Sequence, residues 1–342
     1  MHRFLRFNFT SVSTRRRPMQ RPQMIHARRP YTWIIATALG SLVVLAVLGA
    51  STRLRAHESA PSDEKNRPPA ELAVMNFNIR FNNPADGKNA WPKRRDNVAE
   101  LIRRQKPDLL GLQEALAGQI ADLKDRLGDD YDWYGVGRDD GKEKGEFVPV
   151  FFRRDRFDVL AKGTFWLSET PDKPGVIGWD AALPRVATWL KLKDKPTGRT
   201  LLFANVHYDH RGDKARLESS RLLRRKLLEL AGDDPILLLG DFNAAPDSRP
   251  YKALVDPADL KTGDGAPAKA AVFRDARGLV DKPSGPDTTW NGFTKAVEGS
   301  RIDHVLVDKH WTVASYAVVD EQTKDGRFYS DHFPIVAKLR LE

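Results

Sequence analysis

The chain has 342 residues, 41% hydrophobic and 30% charged, and it contains no cysteine. That length allows one large or two modest domains, and the missing thiols exclude disulfides, a thiolate metal site and a cysteine nucleophile. The net charge of +10 suggests nucleic acid until it is located: residues 1–55 hold ten Arg and no acid, leaving 46 cations against 46 acids elsewhere, without the basic excess usual in a duplex-binding domain.

In chain order, residues 1–30 are Arg- and Pro-rich with little apolar content, which predicts a disordered cytoplasmic tail. Residues 31–52 carry no charged side chain and are almost wholly apolar from Trp33 to Ala50, enough for one N-terminal transmembrane helix. Eight of the ten Arg precede this segment. The positive-inside rule then makes it a single-pass signal anchor of the inner (cytoplasmic) membrane, N-terminus in, with the rest periplasmic or extracellular. Secretion after signal cleavage is the alternative, because Leu48-Gly49-Ala50 ends in small residues. Against cleavage, the segment exceeds the usual h-region and Leu48 suits the −3 position poorly. Residues 53–70 read as a polar, Pro-bearing linker.

Residues 71–342 read as one globular unit without repeats. Short apolar runs predict strands over 72–79, 109–113, 147–152, 157–167, 188–193, 201–207, 236–239, 303–307, 312–319 and 335–341. Amphipathic stretches predict helices over 93–105, 118–127 and 214–230, the last capped by Asp213, with Arg216, Arg221, Arg224 and Arg225 on a solvated face. The loop 256–270 reads as a surface excursion. Many strands with helices between and outside them make an α+β layered sandwich.

The polar residues fall at the strand ends. Asn78 closes the first strand and Glu114 follows the second. His207 ends Phe203-Ala204-Asn205-Val206-His207, and Asp241 and Asn243 follow the run from Ile236. Asp303 opens Asp303-His304, and Ser330-Asp331-His332 precedes the last strand. Acids beside apolar strands are costly to bury unless paired or bound to metal. Six such places argue for a convergent site at one rim of the sheets.

These residues, in this order, resemble the endonuclease/exonuclease/phosphatase (DNase I-like) superfamily over roughly 71–342, most specifically in Gly240-Asp241-Phe242-Asn243 and Ser330-Asp331-His332. The resemblance implies a four-layer αββα sandwich and phosphoester hydrolysis dependent on Mg²⁺, with Mn²⁺ as a substitute. On that pattern Glu114 is the principal metal ligand, with Asn78 beside it and Asp331 as ligand to a second metal. His332 matches the catalytic imidazole and Asp303 its orienting carboxylate. Asp241 rivals His332 for activating the attacking water, and Asn243 and His207 would donate to phosphoryl oxygens. His304, next to Asp303, faces the opposite side of its strand and reads as structural.

Farther out, the Gly-rich loop 135–141 with Arg138 and Asp139 is read as a substrate-contacting rim, with Glu146 just before the next strand. Arg185, after Gly178-Trp179-Asp180, would grip a phosphate bidentately, and Asp209 and His210 are read as supporting or substrate contacts. The substrate class stays open among a lipid head group, a sugar or inositol phosphate and a nucleic acid. Nothing in the sequence points to a protein partner. A degraded, non-catalytic binding module is the competing class, and the complete set of site residues weighs against it.

Overall fold

The computed structural model describes residues 71–256 and 273–342. The expected tail, membrane segment and linker at 1–70, and most of the loop 256–270, lie outside the described residues. Among the described residues no helix is long and apolar enough to cross a membrane.

The strands are β1 (Glu71–Asn78), β2 (Leu109–Gln113), β3 (Tyr131–Tyr134), β4 (Val150–Arg153), β5 (Phe157–Trp166), β6 (Val186–Asp194), β7 (Thr200–His207), β8 (Ile236–Asp241), β9 (Arg274–Asp275), β10 (Asp303–Val307), β11 (Trp311–Val318) and β12 (Ile335–Leu341). The helices are α1 (Arg95–Gln105), α2 (Ala117–Leu127), α3 (Asp213–Ala231) and α4 (Arg249–Val255). Two six-stranded mixed sheets result, ordered β11-β12-β1-β2-β4-β3 and β5-β6-β7-β8-β10-β9.

Side-chain alternation along the strands builds the layers. Leu72 and Val74 of β1 meet Leu190, Phe203 and Leu239 between the sheets. Their neighbours Met75 and Phe77 face outward, onto Val98, Leu101 and Ile102 of α1 and Ile120 and Leu123 of α2. On the other sheet, Leu202, Ala204 and Leu238 carry Leu223 and Leu227 of α3 and Leu254 of α4. Each helix offers an apolar stripe at three- and four-residue spacing, so the order helix, sheet, sheet, helix follows. Truncating a buried Leu here to Ala would cost about 2–5 kcal/mol.

The register brings the site together. Parallel pairing of β1 with β2 sets Asn78 beside Gln113, just before Glu114. Parallel pairing of β7 with β8 sets His207 beside Asp241. Antiparallel pairing of β10 with β8 sets Asp303 opposite Asp241. Gly111 permits the close approach of the sheets behind this point, since a Cβ there would lie 2.8 Å from Asn205 Oδ1 of the facing sheet. Within the second sheet, a Cβ on Gly240 would lie 2.5 Å from the carbonyl oxygen of its strand neighbour Val206.

Several expectations are corrected. The strand expected at 147–152 begins at Val150; Phe147 makes only an isolated bridge to Ala115, because Pro149 has no N–H for a continuous ladder. Asp213 does not cap α3. It is the first helical residue, and Asp180 supplies the cap, accepting from Ala215 N at 2.6 Å and Lys214 N at 3.2 Å. Arg224 is fully buried rather than solvated; its Nη1 donates to the Ala253 and Asp256 carbonyls. The short elements β3, β9 and α4 are additional to those expected.

Candidate active site

The ends of β1, β2, β7 and β8 and the turns before β10 and β12 surround a pocket of about 380 Å³. Its walls include Arg80, Glu114, Glu146, Arg185, His207, His210, Asp241, Asn243, Asp331 and His332, with Phe81, Leu183 and Trp290 at the apolar rim.

Asp241 is the hub. Its Oδ2 accepts from Asn78 Nδ2 at 2.9 Å and its Oδ1 from the Asn243 backbone N–H at 2.9 Å. His207 Nε2 stands 3.6 Å and His332 Nε2 3.8 Å from Oδ2. Burial and neighbouring Asp303 push the Asp241 carboxyl up to about 7, against the pull of His332 and the hydrogen bonds from Asn243 and Asn78. His332 donates from Nδ1 to Asp303 Oδ2 at 2.8 Å. Burial alone would lower this imidazole, but Asp303 and Asp241 hold it well above its ordinary value. Because Nδ1 is committed to Asp303, Nε2 is the nitrogen left for chemistry.

His207 behaves oppositely. Burial and the charges of Arg185 and Arg138 hold it well below its ordinary value, so it is neutral. Arg185 Nη1 lies 3.2 Å from His207 Nδ1, and Arg185 Nη2 lies 3.0 Å from His210 Nδ1. A guanidinium only donates, so both Nδ1 atoms accept and both Nε2 atoms carry the proton. Arg185 thereby fixes two neutral imidazoles as donors. Asp209 backs Arg185, with Oδ2 at 3.4 Å from its Nε. Burial would raise Asp209, but the Gly212 and Arg211 N–H groups and Arg185 outweigh it and hold the carboxyl at about 2.

Glu114 shares the Asn78 amide with Asp241. Its Oε1 accepts from Asn78 Nδ2 at 3.1 Å and its Oε2 from Phe81 N at 3.1 Å. Burial pushes Asp331 up, with His332 pulling down and Glu114 pushing further up. Three pocket residues, Arg80, Glu114 and Asn243, have φ of 56°, 59° and 45°. Left-handed backbone in non-glycine residues costs energy and gathers at functional sites.

Of the expected residues, Glu114, Asp331, His207, Asp241, Asn243, His332 and Arg185 line the pocket. Asn78 and Asp303 stand directly behind it, bonded to Asp241 and His332. Asp209 sits behind Arg185. Arg138 does not reach the lining; it donates to Glu146 Oε2 at 2.6 Å. Asp139 is half exposed and lies 3.8 Å from Arg138 Nε. Arg80, Phe81, Leu183 and Trp290 were missed. Nothing in the sequence sets Arg80 apart from a solvated arginine after a strand, and the apolar rim left no signal either.

A hard divalent cation fits these donors, since oxygen ligands predominate. Asp303 Oδ1 is buried without a hydrogen-bond partner among the described residues. Asp241, Asp303 and His332 bring ligand atoms within 4.8 Å of one another. Glu114, whose oxygens accept from Asn78 Nδ2 and Phe81 N and which lines the open pocket, is a further oxygen donor for an ion.

Neutral donors, an imidazole–carboxylate pair and a buried carboxyl held near neutrality thus converge on one pocket beside further carboxylates, an arrangement suited to acid–base chemistry on an anionic group. The model of the Endonuclease/Exonuclease/phosphatase family matches residues 75–332, and the chain belongs to that family. It is 37% identical to the endonuclease/exonuclease/phosphatase of Bacteroides vulgatus, with a TM-score of 0.73, covering 80% of this chain and 100% of that one. It is also 37% identical to a mannosyl-6-phosphatase of Bacteroides thetaiotaomicron, with a TM-score of 0.71, covering 78% of this chain and 99% of that one. The catalytic domain of human nocturnin, at 21% identity and a TM-score of 0.61 over 83% of this chain and all of that one, shares the fold. Among curated proteins, Drosophila melanogaster nocturnin is 24% identical over 287 residues, 73% of this chain and 42% of that protein. A mimivirus protein of unassigned role is 25% identical over 223 residues, 54% of this chain and 32% of that protein. The chain thus spans less than half the length of these two curated relatives.

Proposed function

We propose that the protein is a Mg²⁺-dependent phosphoester hydrolase acting on a small phosphorylated substrate, a sugar phosphate or a phosphorylated head group. The observation that carries this reading is the grouping around Asp241: a carboxyl raised to about 7, 3.8 Å from a His332 that Asp303 orients, opposite the donor His207 that Arg185 orients. Asp241 takes the proton of the attacking water, and protonated His332 faces the negative charge that gathers on the phosphoryl oxygens. His207 Nε2–H and the Asn243 side chain donate to those oxygens, and the phosphorus–oxygen bond to the leaving group breaks as the water oxygen adds. Glu114, with Asn78 beside it, would hold the ion, and Mn²⁺ would substitute for Mg²⁺. When bound, the ion neutralises charge on a phosphoryl oxygen.

Three features support a small substrate. The pocket is about 380 Å³. Its rim offers the apolar faces of Trp290, Leu183 and Phe81, which suit a sugar ring more than a phosphate chain. The 37% identity to a mannosyl-6-phosphatase points the same way. One observation favours a second reading, a longer anionic substrate such as a nucleic acid. A groove of about 510 Å³ shares Asn243 with the pocket and is lined by Lys214, Arg216 and Arg249. We further place the catalytic unit outside the cytoplasmic membrane, on the apolar stretch at 31–52 behind eight Arg.

A panel of hexose 6-phosphate, inositol phosphate, phospholipid head groups, RNA and plasmid DNA, with Mg²⁺ or with EDTA, tests the proposal. Turnover of a small phosphoester that EDTA abolishes is expected. Turnover of nucleic acid alone, falling steeply with salt, would move the assignment to the second reading. Undiminished turnover in EDTA would overturn the metal dependence.

A further inference from the structure

The guanidinium of Arg80 stands among three carboxylates. It donates to Asp86 twice, from Nε at 3.1 Å and Nη2 at 3.3 Å. Its Nη1 is 3.8 Å from Glu114 Oε2, and its Nε is 3.7 Å from Asp331 Oδ2. It thus occupies the gap between the two carboxylates that a second divalent ion would need.

Arg80 is fixed there from several sides. Its backbone is left-handed, with φ 56°. Its N–H donates to Asn78 Oδ1 at 3.0 Å, and its carbonyl accepts from Gln119 Nε2 at 2.9 Å. The guanidinium rests over the Phe81 ring, 4.5 Å from the centroid. Beneath it, buried Arg94 Nη1 donates to the Ile79 carbonyl at 3.0 Å and the Tyr329 carbonyl at 2.7 Å. Arg94 therefore ties the turn bearing Arg80 to the turn bearing Asp331. A surface arginine trailing from a strand end would show none of these restraints.

We propose that Arg80 serves as the resident cation between Glu114 and Asp331, so that the centre takes one divalent ion, through Glu114, rather than two. Asp331 is then the partner of Arg80 and of the Arg94-held turn, not a metal ligand. A guanidinium keeps its charge at every physiological pH, and a dication placed in the same gap would be repelled by it. The inference rests on reading the pocket as a divalent-metal phosphoesterase centre.

The test is Mn²⁺ binding to the full chain, followed by the electron paramagnetic resonance signal of free Mn²⁺ and by calorimetry. The wild type should bind one ion at the centre and Arg80→Met two, while Arg80→Lys, which keeps the charge, should stay at one. Asp331→Asn should change the affinity for the first ion by less than about threefold, whereas Glu114→Gln should weaken it by about 10- to 100-fold or more. Two ions in the wild type, one ion in folded Arg80→Met, or loss of the first ion in Asp331→Asn would each overturn the proposal. Should Arg80→Met not fold, the wild-type stoichiometry and Asp331→Asn decide. A wild type that binds no Mn²⁺ would overturn the metal-dependent reading and this inference together, whereas two ions in an active enzyme would overturn this inference alone.

Discussion

Strand β10 opens with two adjacent residues that each join a buried imidazole–carboxylate pair, on opposite faces of the sheet. Toward the pocket, Asp303 Oδ2 accepts from His332 Nδ1 at 2.8 Å. Toward the outer layer, His304 Nδ1 meets Asp275 Oδ2 at 3.2 Å. The pairs look alike, and both imidazoles are buried. They differ at the other ring nitrogen. Among the described residues, His332 Nε2 meets only Asp241 Oδ2, at 3.8 Å, and opens on the pocket. His304 Nε2 donates to the Ala244 carbonyl at 2.9 Å, and Arg301 and Tyr251 close the network around Asp275. A His–Asp pair becomes chemical through what its second nitrogen faces. The outer pair instead holds the backbone just after Asn243.

Substitutions on the two sides should separate these roles. The largest effect falls on the pocket side, at the hub both reactive imidazoles face. Asp241→Asn removes the proton acceptor and should lower kcat/KM about 10³-fold with the far-ultraviolet spectrum unchanged. A loss below tenfold would assign the base elsewhere. Next, Asp303→Asn leaves His332 in place without its orienting charge and should cost about 10²-fold. Because Asp303 holds His332 above its ordinary value, this variant should lose the His332 proton at a lower pH, moving the alkaline limb of the activity profile downward. An unmoved limb would mean that His332 does not titrate in the reaction. In the wild type, the acid limb should rise as pH passes upward through about 7, where Asp241 loses its proton. A rate flat from pH 5.5 to 8 would contradict that. The smallest effect on rate belongs to the outer pair. His304→Asn should keep kcat within about tenfold yet cost about 1–3 kcal/mol of unfolding free energy through unpaired buried groups, read from urea midpoints at unchanged slope.

Much of this contrast was legible in the sequence, for a physical reason. Asp241, Asp303 and His332 adjoin apolar runs, where an idle charge is costly, and alternation along 303–307 already turned His304 away from Asp303. The resemblance then ordered these residues into one site. What stayed hidden is non-local. Asp180 caps a helix from 35 positions away through Ala215 N, displacing the nearby Asp213 from that role. Arg224 carries a charge into a buried helix face by meeting backbone carbonyls of a helix too short to be foreseen. Arg80 follows a strand as countless solvated arginines do, and only the fold brings Asp86, Glu114 and Asp331 around it.

The most direct test compares His332→Ala with His304→Asn in the full chain, by inorganic phosphate released from a hexose 6-phosphate in Mg²⁺. The account predicts turnover about 10³-fold below wild type for His332→Ala, and turnover within tenfold of wild type for His304→Asn. Equal losses in the two variants, or a fully active His332→Ala, would contradict it.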